Sequence, residues 1–400
     1  MKNLRMQQEM TDRGRLEIRV NARIQARPVS GARVTVSYTG DPQNVIEELI
    51  TDGDGRTETL DLATPPLEYS LEPNVNQPYS EYTVKVEAEG YEPVEVTGSE
   101  LLSGEQSVQQ VDLEPAEGAA FADVTIPDHT LFGEYPAKIP ESEIKPTGES
   151  GEIVLSRVVI PEYVVVHDGA PTDSTARDYY VRYRDYIKNV ACSEIYATWP
   201  DAAIRANILA IMSFTLNRVY TEWYRNKGYD FTITSSTAYD HKWIYGRNIF
   251  DSISLVVDEI FADYLSRPNV KQPILTQYCD GNRVSCPNWM SQWGSKNLAD
   301  QGYSTIQILR NYYGDNMYIN TAEEISGIPS SWPGYDLTIG SSGNKVLQMQ
   351  EQLNVIAEVY SSIPTVYENG YFDEETQDAV EAFQWLFGLC LLYTSPSPRD

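Results

Sequence analysis

The sequence predicts a multidomain chain: an N-terminal antiparallel β-sandwich, a central α+β domain and a small C-terminal helical module. Three observations predict it. Residues 15–115 alternate apolar and polar with period two, the chain turns to helical spacing from Asp185 onward, and two amphipathic helical patterns around a glycine-containing turn close the chain. A length of 400 residues with 41% hydrophobic side chains leaves room for two to four ordinary cores.

After a tail at 1–14, the segments "RLEIRVNARI", "GARVTVSYT", "YTVKVEAEGY" and "VQQVDLEP" read as short strands of a sandwich spanning 15–115. The intervening "TDGDGRT" contains Asp52, Asp54 and Gly55; it reads as a turn in preference to a calcium loop, because the oxygen ligands of a full loop are missing. The pattern of this region resembles the transthyretin-like modules that accompany secreted enzymes, which implies an accessory or pro-domain.

Residues 116–157 are proline-rich without periodicity and predict a semi-extended linker open to a protease. A β-rich run, "EIVLSRVVIPEYVVVHDG", opens the next region. Beyond Pro200, which suits a first helical turn, Ile204, Ile208, Ile211, Met212, Leu216, Val219 and Trp223 form an apolar stripe, predicting a helix buried along one face. Further helices are expected from about Phe250 and near Ser304. In the last segment, Val346, Met349, Leu353 and Ile356 are expected to face Ala379, Val380, Phe383 and Leu386. The closing "CLLYTSPSPRD", residues 390–400, reads like a translated sequencing adaptor and is set aside, so the C-terminal module is expected to be cut short.

Thirty basic against 58 acidic residues give a net charge of −28, which repels nucleic-acid phosphates and anionic lipid surfaces. No run has the length of a membrane span, and the start lacks the apolar core of a secretion signal. With Cys390 set aside, three cysteines remain, too few for a disulfide framework.

Leu337, Gly340, Ser341, Gly343, Val346, Gln350, Gly370, Phe372, Thr376, Ala379, Val380, Phe383 and Gln384 follow the pattern of the peptidoglycan-binding type 1 domain, which residues 334–389 resemble; Asp373 stands where a glycine is usual. "YIKNVACSEIYATWPDAAIRANILAIMSFTLNR" and "MSQWGSKNLADQGYSTIQILRNYYG" make residues 158–320 similar to the catalytic domain of stage II sporulation protein D, a lytic transglycosylase. The combined layout resembles the clostridial spore cortex-lytic enzymes, stored as proenzymes and activated by proteolysis at germination. The resemblance implies cleavage of the MurNAc–GlcNAc glycan with a 1,6-anhydro-muramic product, at the spore or cell wall.

On composition alone Glu194 is a surface-facing helix acid. The resemblance makes it the catalytic carboxyl, and its neighbours Val190, Ala191, Ile195 and Trp199 would favour the protonated form. Of the nearby carboxylates, Asp201 suits a helix first turn and Glu222 a solvated face, with Asp185 a further competitor. Tyr278, Ser291, Gln292 and Trp293 are implied substrate-binding residues, with core packing an equal option for Tyr278 and Trp293. Cys279 and Cys286 either stay free or pair, or with His241 supply three ligands to zinc. No cofactor is required. His129, His167 and Cys192 read as structural. The alternative function is that of a noncatalytic peptidoglycan-binding envelope or spore-coat protein.

Overall fold

The computed structural model describes residues 10–23, 27–116, 121–143, 155–322, 324–326 and 336–389. The closing segment assigned to an adaptor and most of the N-terminal tail lie outside the described residues.

The N-terminal region is two packed sheets. Nine strands build it: β1 (Asp12–Ala22), β2 (Arg27–Pro28), β3 (Arg33–Tyr38), β4 (Asp41–Ile50), β5 (Leu60–Thr64), β6 (Ser80–Glu87), β7 (Val94–Leu101), β8 (Gln106–Leu113) and β9 (Ala122–Thr125). One sheet places β1 between β8 and the pair β2 and β5; the other runs β4-β3-β6-β7-β9. Alternation puts Leu16, Ile18 and Val20 of β1 into a shared core with Val34, Val36, Val84 and Val86. The sandwich is not purely antiparallel, as the sequence suggested: β8 runs parallel to β1 and β9 parallel to β7. Alternation records only that a strand has one wet and one dry face; the direction of its neighbour is set by where the chain re-enters the sheet. Asp52 serves a turn, its Oδ1 accepting from the backbone N–H groups of Asp54 and Arg56 at 2.9 Å. Gly55 follows at φ +72°, where a side chain would strike the Val20 carbonyl.

The expected linker is largely not one. Beyond β9, residues 126–143 form a strap fixed to the central domain, with Ile126, His129, Leu131, Tyr135 and Lys138 buried. Thr130 donates to the Ser193 carbonyl at 2.7 Å, Arg283 donates to the carbonyls of Thr130, Leu131 and Gly133, and Glu143 pairs with Arg267 at 2.7 Å. Proline-rich sequence lacks periodicity whether it is solvated or packed, since its backbone groups bond to other elements and not along a ladder.

The central region is α+β. Its helices are α1 (Tyr183–Glu194), α2 (Asp201–Tyr220), α3 (Asp251–Ile260), α4 (Gln292–Asp300) and α5 (Thr305–Tyr313), accompanied by short strand pairs. Helix α2 is buried nearly all round, not along one face: Ala206 through Arg218 are all buried. Its polar members find partners there, Asn207 on Ser295, Ser213 on the Ile274 carbonyl and Asn217 on the Pro273 carbonyl. Asp201, in its exposed first turn, pairs with Arg205 at 2.8 Å.

The two regions are joined by more than the strap. Ile249–Phe250 adds to the first sheet beside β8, and a fully buried Glu100–Arg247 pair closes to 2.6 Å. The Trp199 indole N–H donates to the Ser70 carbonyl at 3.0 Å.

The C-terminal module packs α6 (Asn344–Ala357) on α7 (Glu374–Leu386), with Leu353, Val366 and Ala379 at its centre and Met349, Val380 and Phe383 around them. Asp373 caps α7, accepting from the Thr376 N–H at 2.9 Å, a good reason for an acid at the position where glycine was expected.

Candidate active site

Glu194 is the last residue of α1, and only 1% of it is exposed. The helix ends because Ile195 turns to extended backbone, so the carboxyl sits at the negative end of the helix dipole. Its Oε1 accepts the Lys242 backbone N–H at 2.6 Å. Its Oε2 accepts the Tyr278 hydroxyl and, at 3.4 Å, the Gln292 side-chain amide, which also donates to the Glu194 carbonyl at 3.2 Å. Burial raises the carboxyl above its ordinary range; the Lys138 ammonium, the Lys242 N–H and the Tyr278 hydroxyl draw it back down. This is a dehydrated acid held by donors on both oxygens, of which only the Tyr278 hydroxyl can also accept a proton.

The sequence-derived residues divide once placed. Glu194, Tyr278 and Gln292 converge. Ser291 caps α4, its Oγ accepting the Gly294 N–H at 2.8 Å, and so aims Gln292 at the carboxyl. Trp293 is 4% exposed and packed on Trp199 at 5.0 Å and Tyr196 at 6.1 Å; it presents no free face to a sugar, because α4 turns that side of its first residues into the core.

The zinc reading of His241, Cys279 and Cys286 is corrected. Cys279 and Cys286 form a disulfide with Cα atoms 5.6 Å apart, so neither offers a thiolate. His241 is fully buried, its ring stacked on Tyr278 at 5.8 Å and its Nδ1 3.0 Å from the Tyr186 hydroxyl; burial holds it well below its ordinary value, hence neutral. Among the described residues no group of three or more His, Cys, Asp or Glu is placed to hold a metal ion. Cys192 is buried, its thiol pushed up to about 12, and it accepts the Phe250 N–H at 3.4 Å. His167 bonds Asp178 at 2.7 Å, and His129 accepts the Leu131 N–H at 3.2 Å.

Sequence reasoning missed two residues of the strap. Tyr135 and Lys138 are both buried here, and Lys138 Nζ lies 4.5 Å from the centre of the Tyr278 ring. The available signal was a lone lysine among apolar and proline residues in "EYPAKIPES", a poor place for a solvated cation. The strap packs beside the site through Thr130, Tyr135 and Lys138. A cleft of about 420 Å³ lies elsewhere, lined by Arg182, Arg184, Lys188 and Asp258 together with Phe387 and Leu389 of the C-terminal module.

In that module Gln350 is fully buried and joins the pieces of the sequence pattern. Its amide donates to the Tyr371 carbonyl and Thr376 hydroxyl at 3.0 Å, while its oxygen accepts the Gly370 N–H at 2.8 Å. Residues 342–390 match a peptidoglycan binding domain. Peptidoglycan is therefore the partner this domain supplies, and cell-wall association follows from it. Among the described residues no helix is long and apolar enough to cross a membrane.

Comparison with curated proteins gives no match. Among solved structures, the chain has 19% identity with the Bacillus anthracis TIE protein over 26% of this chain and 17% of that one, at a TM-score of 0.18. It has 11% identity with GBS52, the minor pilin of Streptococcus agalactiae, over 30% and 49% at 0.19. It has 15% identity with Klebsiella pneumoniae 5-hydroxyisourate hydrolase, over 26% and 91% at 0.18. The chain thus spans 17% of the length of the first and 49% of the second, and likenesses of this degree carry no inference about its fold or chemistry.

Proposed function

We propose that this protein is a peptidoglycan lytic transglycosylase that cuts the glycan through Glu194 and holds the polymer through its C-terminal domain. The observation that carries the reading is the Glu194 carboxyl itself: dehydrated, at a helix C-terminus, with Oε1 fixed by the Lys242 N–H and Oε2 facing the Tyr278 hydroxyl. In the reaction that such a lone acid suits, protonated Glu194 gives its proton to the glycosidic oxygen as the bond to C1 of N-acetylmuramic acid breaks. The carboxylate then takes the proton of the C6 hydroxyl of the same sugar, whose oxygen bonds to C1 and closes the 1,6-anhydro ring. No water is consumed, and one carboxyl serves both steps where hydrolases use a pair. Tethering by the peptidoglycan binding domain raises the local concentration of an insoluble substrate.

The reading extends to a proenzyme acting on spore cortex at germination. Its support is the strap, which must move before a glycan reaches Glu194, as a cut within 116–157 by an activating protease would permit. The test is digestion of cortex and vegetative sacculi by the full chain, before and after limited proteolysis, with mass spectrometry of the released fragments. Anhydro-ended muropeptides from the wild type and none from Glu194→Gln are expected; reducing ends would make the enzyme a hydrolase.

The sealed state of Glu194 favours one second reading, a noncatalytic envelope or spore-coat protein that binds peptidoglycan. Retention on sacculi without any solubilisation, before or after proteolysis, would select it.

A further inference from the structure

Lys138 has no role in the activity proposed above, yet it is among the most costly side chains in the molecule. It is 5% exposed, and a buried ammonium is destabilising unless a counter-charge offsets it. Its Nζ donates to the Asp240 carbonyl at 2.7 Å and lies over the rings of Phe214, at 4.9 Å, and Tyr278, at 4.5 Å. These contacts satisfy its geometry but not its charge.

The anions nearby are largely committed elsewhere. The Asp240 carboxylate accepts from Arg218 and the Tyr224 hydroxyl at 2.7 Å and from the Thr234 N–H at 2.8 Å. Glu141, on the strap, holds the two terminal nitrogens of Arg218 at 2.9 and 2.6 Å. Arg218 thus stands against two carboxylates, a cluster with one negative charge in excess, and it shares the answer to Lys138 with the carboxyl of Glu194, the strongest of the charges favouring the ammonium. The Tyr278 ring lies between them, under the ammonium on its face and donating to Glu194 from its hydroxyl.

We propose that Lys138 is a positioning residue of the Glu194 centre, the cation from the strap against which the buried carboxyl is balanced. The other titratable groups around Glu194 leave this task open. Tyr135 on the strap, Tyr186 on α1 and Tyr278 are held neutral by burial, and His241 is neutral as well. Lys242 presents its backbone to the carboxyl, and its side chain is only partly buried. Lys138 is also the charge that draws Glu194 most strongly toward its ionised form. Movement of the strap would therefore do two things at once: uncover the acid and remove the cation that opposes its protonation.

The activity arm of this proposal rests on the transglycosylase reading; the titration arm does not. Lys138→Gln keeps a donor for the Asp240 carbonyl and removes the charge, Lys138→Met removes both, and Lys138→Arg restores the charge. The carboxylic C=O band of Glu194, isolated in infrared spectra by subtracting Glu194→Gln in each background, is followed against pH in the full chain. Lys138→Gln should keep the protonated band to about one pH unit higher than wild type, and Lys138→Arg should titrate near wild type. A Lys138→Gln titration that superimposes on wild type overturns the proposal, and Lys138→Met decides if Lys138→Gln misfolds. A shifted band without muropeptide release by any variant upholds Lys138 and defeats the transglycosylase; release of anhydro products with unmoved titration does the reverse.

Discussion

The backbone N–H of Lys242 donates to Oε1 of Glu194 at 2.6 Å, across 48 residues of sequence. An amide N–H cannot accept, so this bond fixes Oε1, while Oε2 faces the Gln292 amide and the Tyr278 hydroxyl, the one of the three partners that can also accept a proton from the acid form.

Tyr278→Phe therefore removes a donor to the ionised form. The value for Glu194 rises, its protonated share persists to higher pH, and the alkaline fall of lytic activity moves upward by about one pH unit or less. A pH profile of sacculus solubilisation checks it. A downward move would mean that Glu194 is not the acid.

Glu194→Gln keeps the shape of the side chain and the Lys242 bond but cannot deliver a proton. Solubilisation should fall at least about a hundred-fold with retention on sacculi unchanged, as read by turbidity and pulldown on the same preparation.

Arg218→Met takes the guanidinium away from two carboxylates, fully buried Asp240 and partly buried Glu141, which it joins at 2.7 and 2.6 Å. Loss of one partner from a buried ionic cluster costs about 3–5 kcal/mol, so urea unfolding should shift by that amount. Because Glu141 belongs to the strap, its backbone should also become more open to added protease.

The disulfide closes a loop of sequence separation 7 that carries Arg283, the residue clamping three strap carbonyls. Replacing both Cys279 and Cys286 by Ser should lower stability by about 2.5 kcal/mol in denaturant titrations. It should also speed proteolytic cutting within 126–143.

Gln350→Leu removes the acceptor of the Gly370 and Asn369 N–H groups of the C-terminal domain, a loss of about 0.5–1.5 kcal/mol for each of these partly solvated hydrogen bonds. Binding to insoluble sacculi should drop while the central domain unfolds at its usual temperature. Unchanged retention would place glycan binding outside this domain.

Much of this architecture was legible in local pattern. Period-two alternation marked the strands of the first region, helical spacing marked α2 and the last two helices, and Gln350, Gly370 and Thr376 marked the C-terminal domain before their shared hydrogen bonds were visible. Composition alone made Glu194 a surface acid; the motif around it singled it out, and the structure buries it. The parallel pairing of β8 with β1 was hidden, as was the packing of 126–143, since neither leaves a periodic trace.

By itself the sequence determined the types of element, the motif that holds Glu194 and the peptidoglycan binding domain, because each depends on residues close along the chain. Only the tertiary structure decided that the proline-rich segment packs beside the acid, that Lys138 accompanies it, that the two cysteines pair and that Trp293 is core. Those outcomes rest on contacts between residues tens to more than a hundred positions apart, where burial and charge compensation choose partners that no local spacing encodes.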